Sequence, residues 1–382
     1  MTIFFLILLF LLFYTYSGYF ILLKFISFYR SNPVQRGKYL PEATLLIPVF
    51  NGEKVIRDKL ENCLKLDYPR DKFRIIVVSD SSSDRTDEVA QSYLKQGVKL
   101  IRLEKRGGKT RALNSALKDI QTELVFFTDA STLLKEESLR NIARTFFDPD
   151  VGCVSGEDQS ISTTSEKSEA GEVLYVGLEM KLRRLESIIG NLTGVSGCLY
   201  AIRKELVQEI PNDFIDDFYL PLEIVKKGKR VISEPEAVAY VTKVSGFKEE
   251  FRRRRRTTLG GLEVFFSEFP LLNPFKYGIF SLELLSHKLL RWLTPFLLLL
   301  LFLSSIFLLN THFIFKLTFL FELITILIAL IHWLFLKDKK LSGIFSYAES
   351  IFYFYLVNLA LFLAWVKFIS GKREIIWEPS KR

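Results

Sequence analysis

The apolar residues of this 382-residue chain pile up at its two ends. Residues 3–23 run almost without a polar side chain, enough for a helix to cross roughly 30 Å of hydrocarbon. Further runs at about 289–309, 313–336 and 345–369 have the same character. Such a chain does not fold as one water-soluble globule; it sets a charged middle beside a bilayer. No positive charge precedes the first run and no small-residue cleavage site follows it, so it reads as an anchor rather than a cleaved signal. Lys24, Arg30, Arg36 and Lys38 follow it, and the positive-inside rule expects the middle of the chain on the cytoplasmic face of the cell (inner) membrane.

Orientation is less simple at the other end. The loop Asn310-Thr311-His312 reads as outside and Lys337-Asp338-Lys339-Lys340 as inside. Parity then puts the basic tail Gly371-Lys372-Arg373 outside, against the charge rule. The last run carries Glu349, Asn358 and several tyrosines, which suits a helix buried in a bundle or one that dips without crossing. Residues 260–288 alternate bulky apolar residues (Phe265, Phe266, Phe269, Leu271, Leu272, Phe275) with Glu, Pro and Lys. That pattern fits helices lying in the interface, broken at Pro270, or ordinary core packing. The expected organisation is an anchor over 1–28, a cytoplasmic domain over 40–245, a basic segment with interfacial helices over 246–288, membrane helices over 289–370 and a tail over 371–382.

A formal charge of +9 suits anionic lipid or phosphorylated substrates beside a membrane. The three cysteines, Cys63, Cys153 and Cys198, have neither disulfide-framework nor zinc spacing, as befits a reducing compartment. In the middle, short apolar runs at 43–49, 74–79, 98–103 and 124–128 alternate with helical spacing at 53–65, 84–95 and 110–118. Such alternation predicts an α/β domain, a mostly parallel sheet with helices on both faces, binding ligands beyond the carboxyl ends of its strands.

Chemistry-bearing residues fall at those ends. Pro48-Val49-Phe50-Asn51-Gly52-Glu53 follows the first strand and Asp80-Ser81-Ser82-Ser83-Asp84 the second. A carboxylate there can accept hydrogen bonds from a base or ribose; Asp84 reads equally as a helix cap. Arg106-Gly107-Gly108-Lys109 precedes a helix, where glycines permit close approach and a lysine suits phosphate. Asp129-Ala130-Ser131 follows the fourth strand, where an acid can hold a divalent cation that bridges a diphosphate.

Order and spacing together resemble glycosyltransferase family 2, with its GT-A nucleotide-sugar fold, over roughly residues 43–260, and with membrane segments arranged as in the polysaccharide-synthase branch. The resemblance implies that Pro48, Glu53, Asp80 and Ser82 hold the nucleoside, that Lys109 and Asn114 serve the donor, and that Asp129 with Ser131 holds Mg²⁺ or Mn²⁺. Ser131 stands where the family has a second acid. Gly197, Cys198 and Leu199, within Val195–Arg203, look like the family's acceptor loop; a strand with a turn is the plainer reading. Asp216 and Asp217 resemble its acidic dyad, with Asp217 as base; an N-cap pair for a helix over 218–227 is the alternative. In Phe251-Arg252-Arg253-Arg254-Arg255-Arg256-Thr257, Arg253 and Thr257 replace the glutamine and tryptophan of the processive motif. Arg255 or Arg256 is implied at the leaving diphosphate, and the remaining arginines at anionic headgroups.

The expected activity is inverting transfer from a nucleotide-sugar, with UDP as the nucleotide the resemblance implies, to a glycan or lipid-linked acceptor in surface polysaccharide synthesis. Single transfer to a lipid and a non-catalytic nucleotide- or glycan-binding membrane protein are the alternatives. Four spans are few for a channel, so an accessory subunit is a possible partner. The arginine run lacks interleaved aromatic residues, which argues against nucleic acid.

Overall fold

The computed structural model describes residues 1–161, 170–242, 246–336 and 346–372. Eight strands form one sheet: β1 (Ala43–Val49), β2 (Phe73–Ser79), β3 (Val98–Arg102), β4 (Leu124–Phe127), β5 (Thr132–Leu134), β6 (Val151–Ile161), β7 (Tyr200–Arg203) and β8 (Arg230–Thr242). Their order is β3-β2-β1-β4-β7-β6-β8-β5. The first four are parallel, β7 runs antiparallel to β4 and β6, β8 lies parallel to β6, and β5 is an antiparallel edge strand on β8. The sheet is therefore mixed but still mostly parallel, as the alternation of strands and helices predicts. Of the described strands, β5 and β7 run against the other six.

All of β1 is buried, because successive side chains point to opposite, equally covered faces. Leu45, Ile47, Val77 and Phe126 face α2 (Glu53–Leu64) and, across the cluster, α5 (Ser138–Thr145), the helices α3 (Thr86–Gln91) and α4 (Lys109–Leu117) lying between them in sequence. The helix expected over 84–95 is thus shorter, with a separate turn at Leu94–Gln96. On the other face Leu46, Val78, Val125 and Phe127 pack with Leu113 and Ala116 of α4. That cluster also takes in Phe218 and Leu222, and then Phe265, Leu271, Phe280 and Leu284.

The last four residues join the domain to the membrane helices. The chain runs on through α6 (Ala170–Ile189), α7 (Asp216–Lys226), α8 (Phe247–Ser267) and α9 (Ile279–Leu308) to α10 (Phe313–Leu336) and α11 (Tyr347–Ile369). Together with α1 (Thr2–Tyr29), the helices α9, α10 and α11 are long and apolar enough to cross a bilayer. The span expected over 289–309 starts earlier, at Ile279, and its first turns pack on the sheet domain. Burying a Phe or Leu is worth about 1.5–3 kcal/mol, so four of them outweigh any single surface ion pair in fixing this junction.

Residues 260–288 divide between the two readings open to them. Gly260, Gly261, Leu262 and Phe265 of α8 are buried, whereas Phe269 and Phe275 are 54% and 99% exposed. α8 stops at Ser267, and Pro270 lies in the short turn that follows. The loop 337–340 and the tail from 373 onward lie outside the described residues.

Candidate functional site

Two strand ends and a glycine turn form the first half of the site. Both Asp80 oxygens accept backbone N–H groups, from Gly107 at 2.7 Å and Gly108 at 2.8 Å, and the residue is only 2% exposed. Ser82 accepts the Asn51 N–H at 3.1 Å and lies 3.0 Å from the Ser79 hydroxyl. Asp84 accepts the Glu53 N–H that opens α2 and the Thr86 N–H that opens α3. Those bonds outweigh partial burial, which alone would raise the Asp84 carboxyl, and hold its pKa below the ordinary value. Gly52 and Arg85 hold the N-cap positions of these helices, and Asp84 ties the two helix starts together beside them. Asn51 and Ser81 take φ of 49° and 62°, a left-handed conformation that Asn tolerates and Ser seldom adopts. Pro48 is buried in β1 opposite Val78, Glu53 stays part-exposed beside Arg85, and the Arg106 guanidinium stacks 3.8 Å from the Phe50 ring.

Beyond this turn lies a cluster of three acids and one lysine. Gly108 has φ of 86°, which an L side chain would resist, and directs the chain into α4 with Lys109 first. The Lys109 ammonium sits 3.2 Å from Asp129 and 3.2 Å from Asp216. Burial would lower its pKa, but Asp129, Asp216 and Asp217 together hold it above the ordinary lysine value. The Tyr200 hydroxyl donates to Asp216 at 2.6 Å, and its ring stacks on Phe127 at 4.5 Å. Neither acid is an N-cap: Ile215 takes that position, and Asp216 and Asp217 form the first turn of α7.

Asp217 stands apart from its neighbour. None of the described residues donates a hydrogen bond to its carboxylate. Withdrawal from solvent first, then the neighbouring Asp216, push its pKa up to about 6 against the opposing charges of Lys109 and Lys288. A Cβ added to Gly197 would stand 2.8 Å from its Oδ2, so a side chain there would push the carboxylate aside. Of the three residues expected in the acceptor loop, Gly197 faces the acid, while Cys198 and Leu199 are buried in the domain core.

Other residues shape this cluster without facing it. The Asn114 side chain donates to the Ile210 carbonyl at 2.7 Å and accepts its N–H at 3.0 Å, and Thr110 donates to the Phe214 carbonyl. Both ends of the Asn114 amide therefore clamp the segment that leads into α7. Sequence reading missed Lys59, which is fully buried and donates to the Thr128 hydroxyl at 2.9 Å and the Thr132 carbonyl at 2.6 Å. It supports the Asp129–Ser131 turn from beneath. The signal was available: Lys59 shares the buried stripe Ile56, Leu60 and Cys63 of α2.

For a metal, Asp129 and Ser131 offer a carboxylate and a hydroxyl on one turn. Among the described residues, no group of three or more His, Cys, Asp or Glu side chains could hold an ion unaided. Mg²⁺ and similar ions are commonly held by one or two carboxylates together with substrate phosphates. The donor set fits an ion shared with a diphosphate, not one caged by protein.

The arginine run lies on α8. Arg252 pairs with Glu249 at 2.8 Å, while Arg253 and Arg254 share the buried Glu250, each at 2.7 Å. Burial would raise Glu250, but Arg254 and Arg253 overcome it and bring its pKa down to about 2. Tyr353 of α11 also donates to Glu250, at 2.9 Å. Arg255 and Arg256 are half-buried farther along the helix. Arg254, with Asp217, lines a cavity of about 560 Å³ between the domain and the membrane helices. A second recess of about 450 Å³, between α2 and the residues after α3, contains none of the strand-end groups.

The chain is similar to known proteins. The family described as Glycosyl transferase family 2 matches residues 44–210. Poly(ribitol-phosphate) beta-N-acetylglucosaminyltransferase TarS of Staphylococcus aureus is 33% identical over 102 residues, 26% of this chain and 18% of that protein. Beta-monoglucosyldiacylglycerol synthase of Trichormus variabilis is 25% identical over 170 residues, 44% of this chain and 36% of its own length. The chain thus spans less than two thirds of each of these relatives. Mannosyltransferase PcManGT of Pyrobaculum calidifontis, solved with GDP-Man and Mn²⁺, superposes with a TM-score of 0.71 over 97% of this chain and 100% of its own, at 21% identity. That likeness is one of fold, membrane helices included.

Proposed function

We propose that this chain, whose residues 44–210 form a glycosyltransferase family 2 domain on a GT-A fold, transfers a sugar from a nucleotide-sugar to an acceptor hydroxyl at the membrane. One observation carries the reading: Asp217, an acid with pKa near 6, borders both the Lys109–Asp129 pair and a cavity walled by membrane helices. The donor diphosphate belongs on the Lys109 side, beyond the strand ends, and the acceptor on the cavity side.

In this mechanism Asp217 accepts the proton of the acceptor hydroxyl. The freed oxygen attacks the anomeric carbon as its bond to the diphosphate breaks, and the configuration inverts. A base poised near the working pH typically contributes ~10²–10⁴ in rate. Asp216, held by Tyr200 and Lys109, keeps a negative charge beside Asp217 and so keeps it basic. Lys109 supplies a positive charge where the leaving group gathers negative charge. Mg²⁺ or Mn²⁺, held by Asp129 with Ser131, would act as a Lewis acid on the departing diphosphate. Asp80 and Ser82 shape the nucleoside turn from within, while Pro48 and Glu53 form its wall and mouth. Arg255 and Arg256 remain our candidates for a second contact to the diphosphate.

Glycan and glycolipid acceptors both fit relatives named for poly(ribitol-phosphate) and for diacylglycerol. The cavity favours a lipid-linked acceptor receiving one sugar over an extruded polymer. The basic residues after α1 favour a cytoplasmic catalytic domain.

The test is nucleoside-diphosphate release by membranes that contain the protein, across a panel of nucleotide-sugars, with Mg²⁺ or Mn²⁺ and a chelator control. Release from one donor, abolished by chelator, is expected. No release from any donor, with donor binding intact, would count against catalysis and for a binding protein.

A further inference from the structure

The cavity beside Asp217 has two unlike walls. Gly194, Asp217 and Phe218 line it on the domain side, and Phe20, Trp292 and Leu361 on the membrane side. Its other charged lining residues, Glu179, Arg254, Lys288 and Arg291, differ in how they are satisfied. Glu179 is held by His287 at 2.9 Å and Arg291 at 2.6 Å, and Arg254 is held by Glu250. Lys288 forms no hydrogen bond or ion pair with any described residue. Its ammonium lies 5.4 Å from the centre of the Phe218 ring and 3.4 Å from where a Cβ on Gly194 would stand.

Two helices are distorted to build this corner. α1 has a π-helical turn at Tyr14–Gly18 and α9 has one at Leu285–Leu289. The Tyr14 and Ser286 hydroxyls join them at 2.9 Å. Thr15, Tyr16, His287 and Lys288 all come from these turns and line the cavity. Such turns are frequent at functional sites, although a third one, at His332–Leu336, lies off the cavity lining. A cation at the membrane edge of a part-apolar cavity is costly unless something negative arrives to meet it.

We infer that the cavity seats an acceptor lipid whose headgroup carries a phosphate beside the hydroxyl that receives the sugar, and that Lys288 binds that phosphate. The inference rests on the transferase reading and names its acceptor class. The hydroxyl meets Asp217, the phosphate meets Lys288, and the tails leave along Phe20 and Leu361, past Ile21 and Leu178 on the lining, which are 57% and 50% exposed. The donor's diphosphate lies on the opposite side of Asp217, at Lys109. A neutral headgroup would leave Lys288 without a bonded partner among the described residues, with only the longer-range charges of Glu179, Glu186 and Asp217 around it. Two sources share this chemistry: a sugar linked to a polyprenyl diphosphate, and a glycerophospholipid with a free headgroup hydroxyl.

The experiment measures binding of short-chain lipids to the full-length protein in detergent. The probes are N-acetylglucosaminyl-diphosphofarnesol, dihexanoyl phosphatidylglycerol and a neutral glucosyl dihexanoylglycerol. The wild type should bind one of the phosphate-bearing lipids roughly tenfold or more tighter than the neutral one, as a charge-assisted contact implies. Whichever lipid binds tighter identifies the source. Lys288→Met should abolish the preference, Lys288→Arg should retain most of it, and the donor Kd should stay the same in all three proteins. A wild type without preference for phosphate, or a preference that survives Lys288→Met, overturns the inference. Nucleoside-diphosphate release is read in parallel. Release only with the neutral lipid sinks the phosphate site and keeps the transferase. Phosphate-selective binding lost in Lys288→Met, with no release from any donor, keeps the site and sinks the transferase.

Discussion

Asp80 and Asp84 after β2, and Asp216 and Asp217 at the start of α7, look alike as sequence: paired acids beside a helix start. The fold treats the pairs in opposite ways. Asp80 and Asp84 spend their oxygens on backbone N–H groups of Gly107, Gly108, Glu53 and Thr86. At Asp84 they favour the charged form, and its pKa falls below the ordinary value. Of the second pair, Asp216 takes the tyrosine and the lysine, and Asp217 is left beside a like charge with no donor of its own; its pKa rises to about 6. An acid filled by N–H groups holds a loop in shape. An acid beside another acid, facing a cavity, is available for proton transfer.

Substitutions can break this contrast. The largest effect is expected from Asp217→Asn, which removes the base and keeps the volume: turnover should drop by ~10²–10⁴ with donor affinity unchanged. Turnover and donor titration on the same membranes measure both. Near-full activity would return Asp217 to the class of structural acids. Gly197→Ala comes next. Its new Cβ would press on the Asp217 carboxylate, and displacement of a catalytic group by an ångström costs roughly 10²-fold. A normal thermal melt would show that the fold itself is intact.

The pH profile sharpens the comparison further. A raised pKa keeps Asp217 protonated, and so inactive as a base, below about 6. Turnover should therefore fall roughly tenfold per pH unit below that value and level off above it. The low-pH limb should move if Asp216→Asn removes the neighbouring charge: the Asp217 pKa drops and the limb shifts to lower pH. A limb that stays in place would mean that another group sets it. The smallest effect belongs to Asp84→Asn, which keeps one accepting oxygen and turns the other into a donor: a lost hydrogen bond worth about 1 kcal/mol of stability, with little change in turnover. Because the Asp84 pKa is depressed, that contribution is present above the ordinary carboxylate range and disappears as pH falls through the depressed value. Wild type and variant should converge in melting temperature in acid.

Much of this protein was legible in its sequence because the signals are local. A run of apolar residues as long as a bilayer is thick announces a membrane helix wherever the rest of the chain goes. Buried strands and helical stripes show in their spacing, and the acids and glycines at strand ends stand where an alternating strand–helix order needs ligands. The four parallel strands and Asp129 as candidate metal ligand come from that level, whereas Asp217 as candidate base comes from the family resemblance. Tertiary contact decided the rest. Nothing near Asn114 in sequence says that its amide will be spent on Ile210, 96 residues away. Glu250 lies one helical turn before Arg254, within reach of a sequence reading, but nothing near either says that Tyr353, 99 residues on, will join them. Lys59 and Lys288 carry the same side chain. One ends beneath a turn with two oxygens bonded to it, the other at a cavity with no oxygen bonded to it among the described residues. Charge, burial and hydrogen bonding are properties of neighbours in space, so the role of an ionisable side chain is settled only when the chain folds and supplies them.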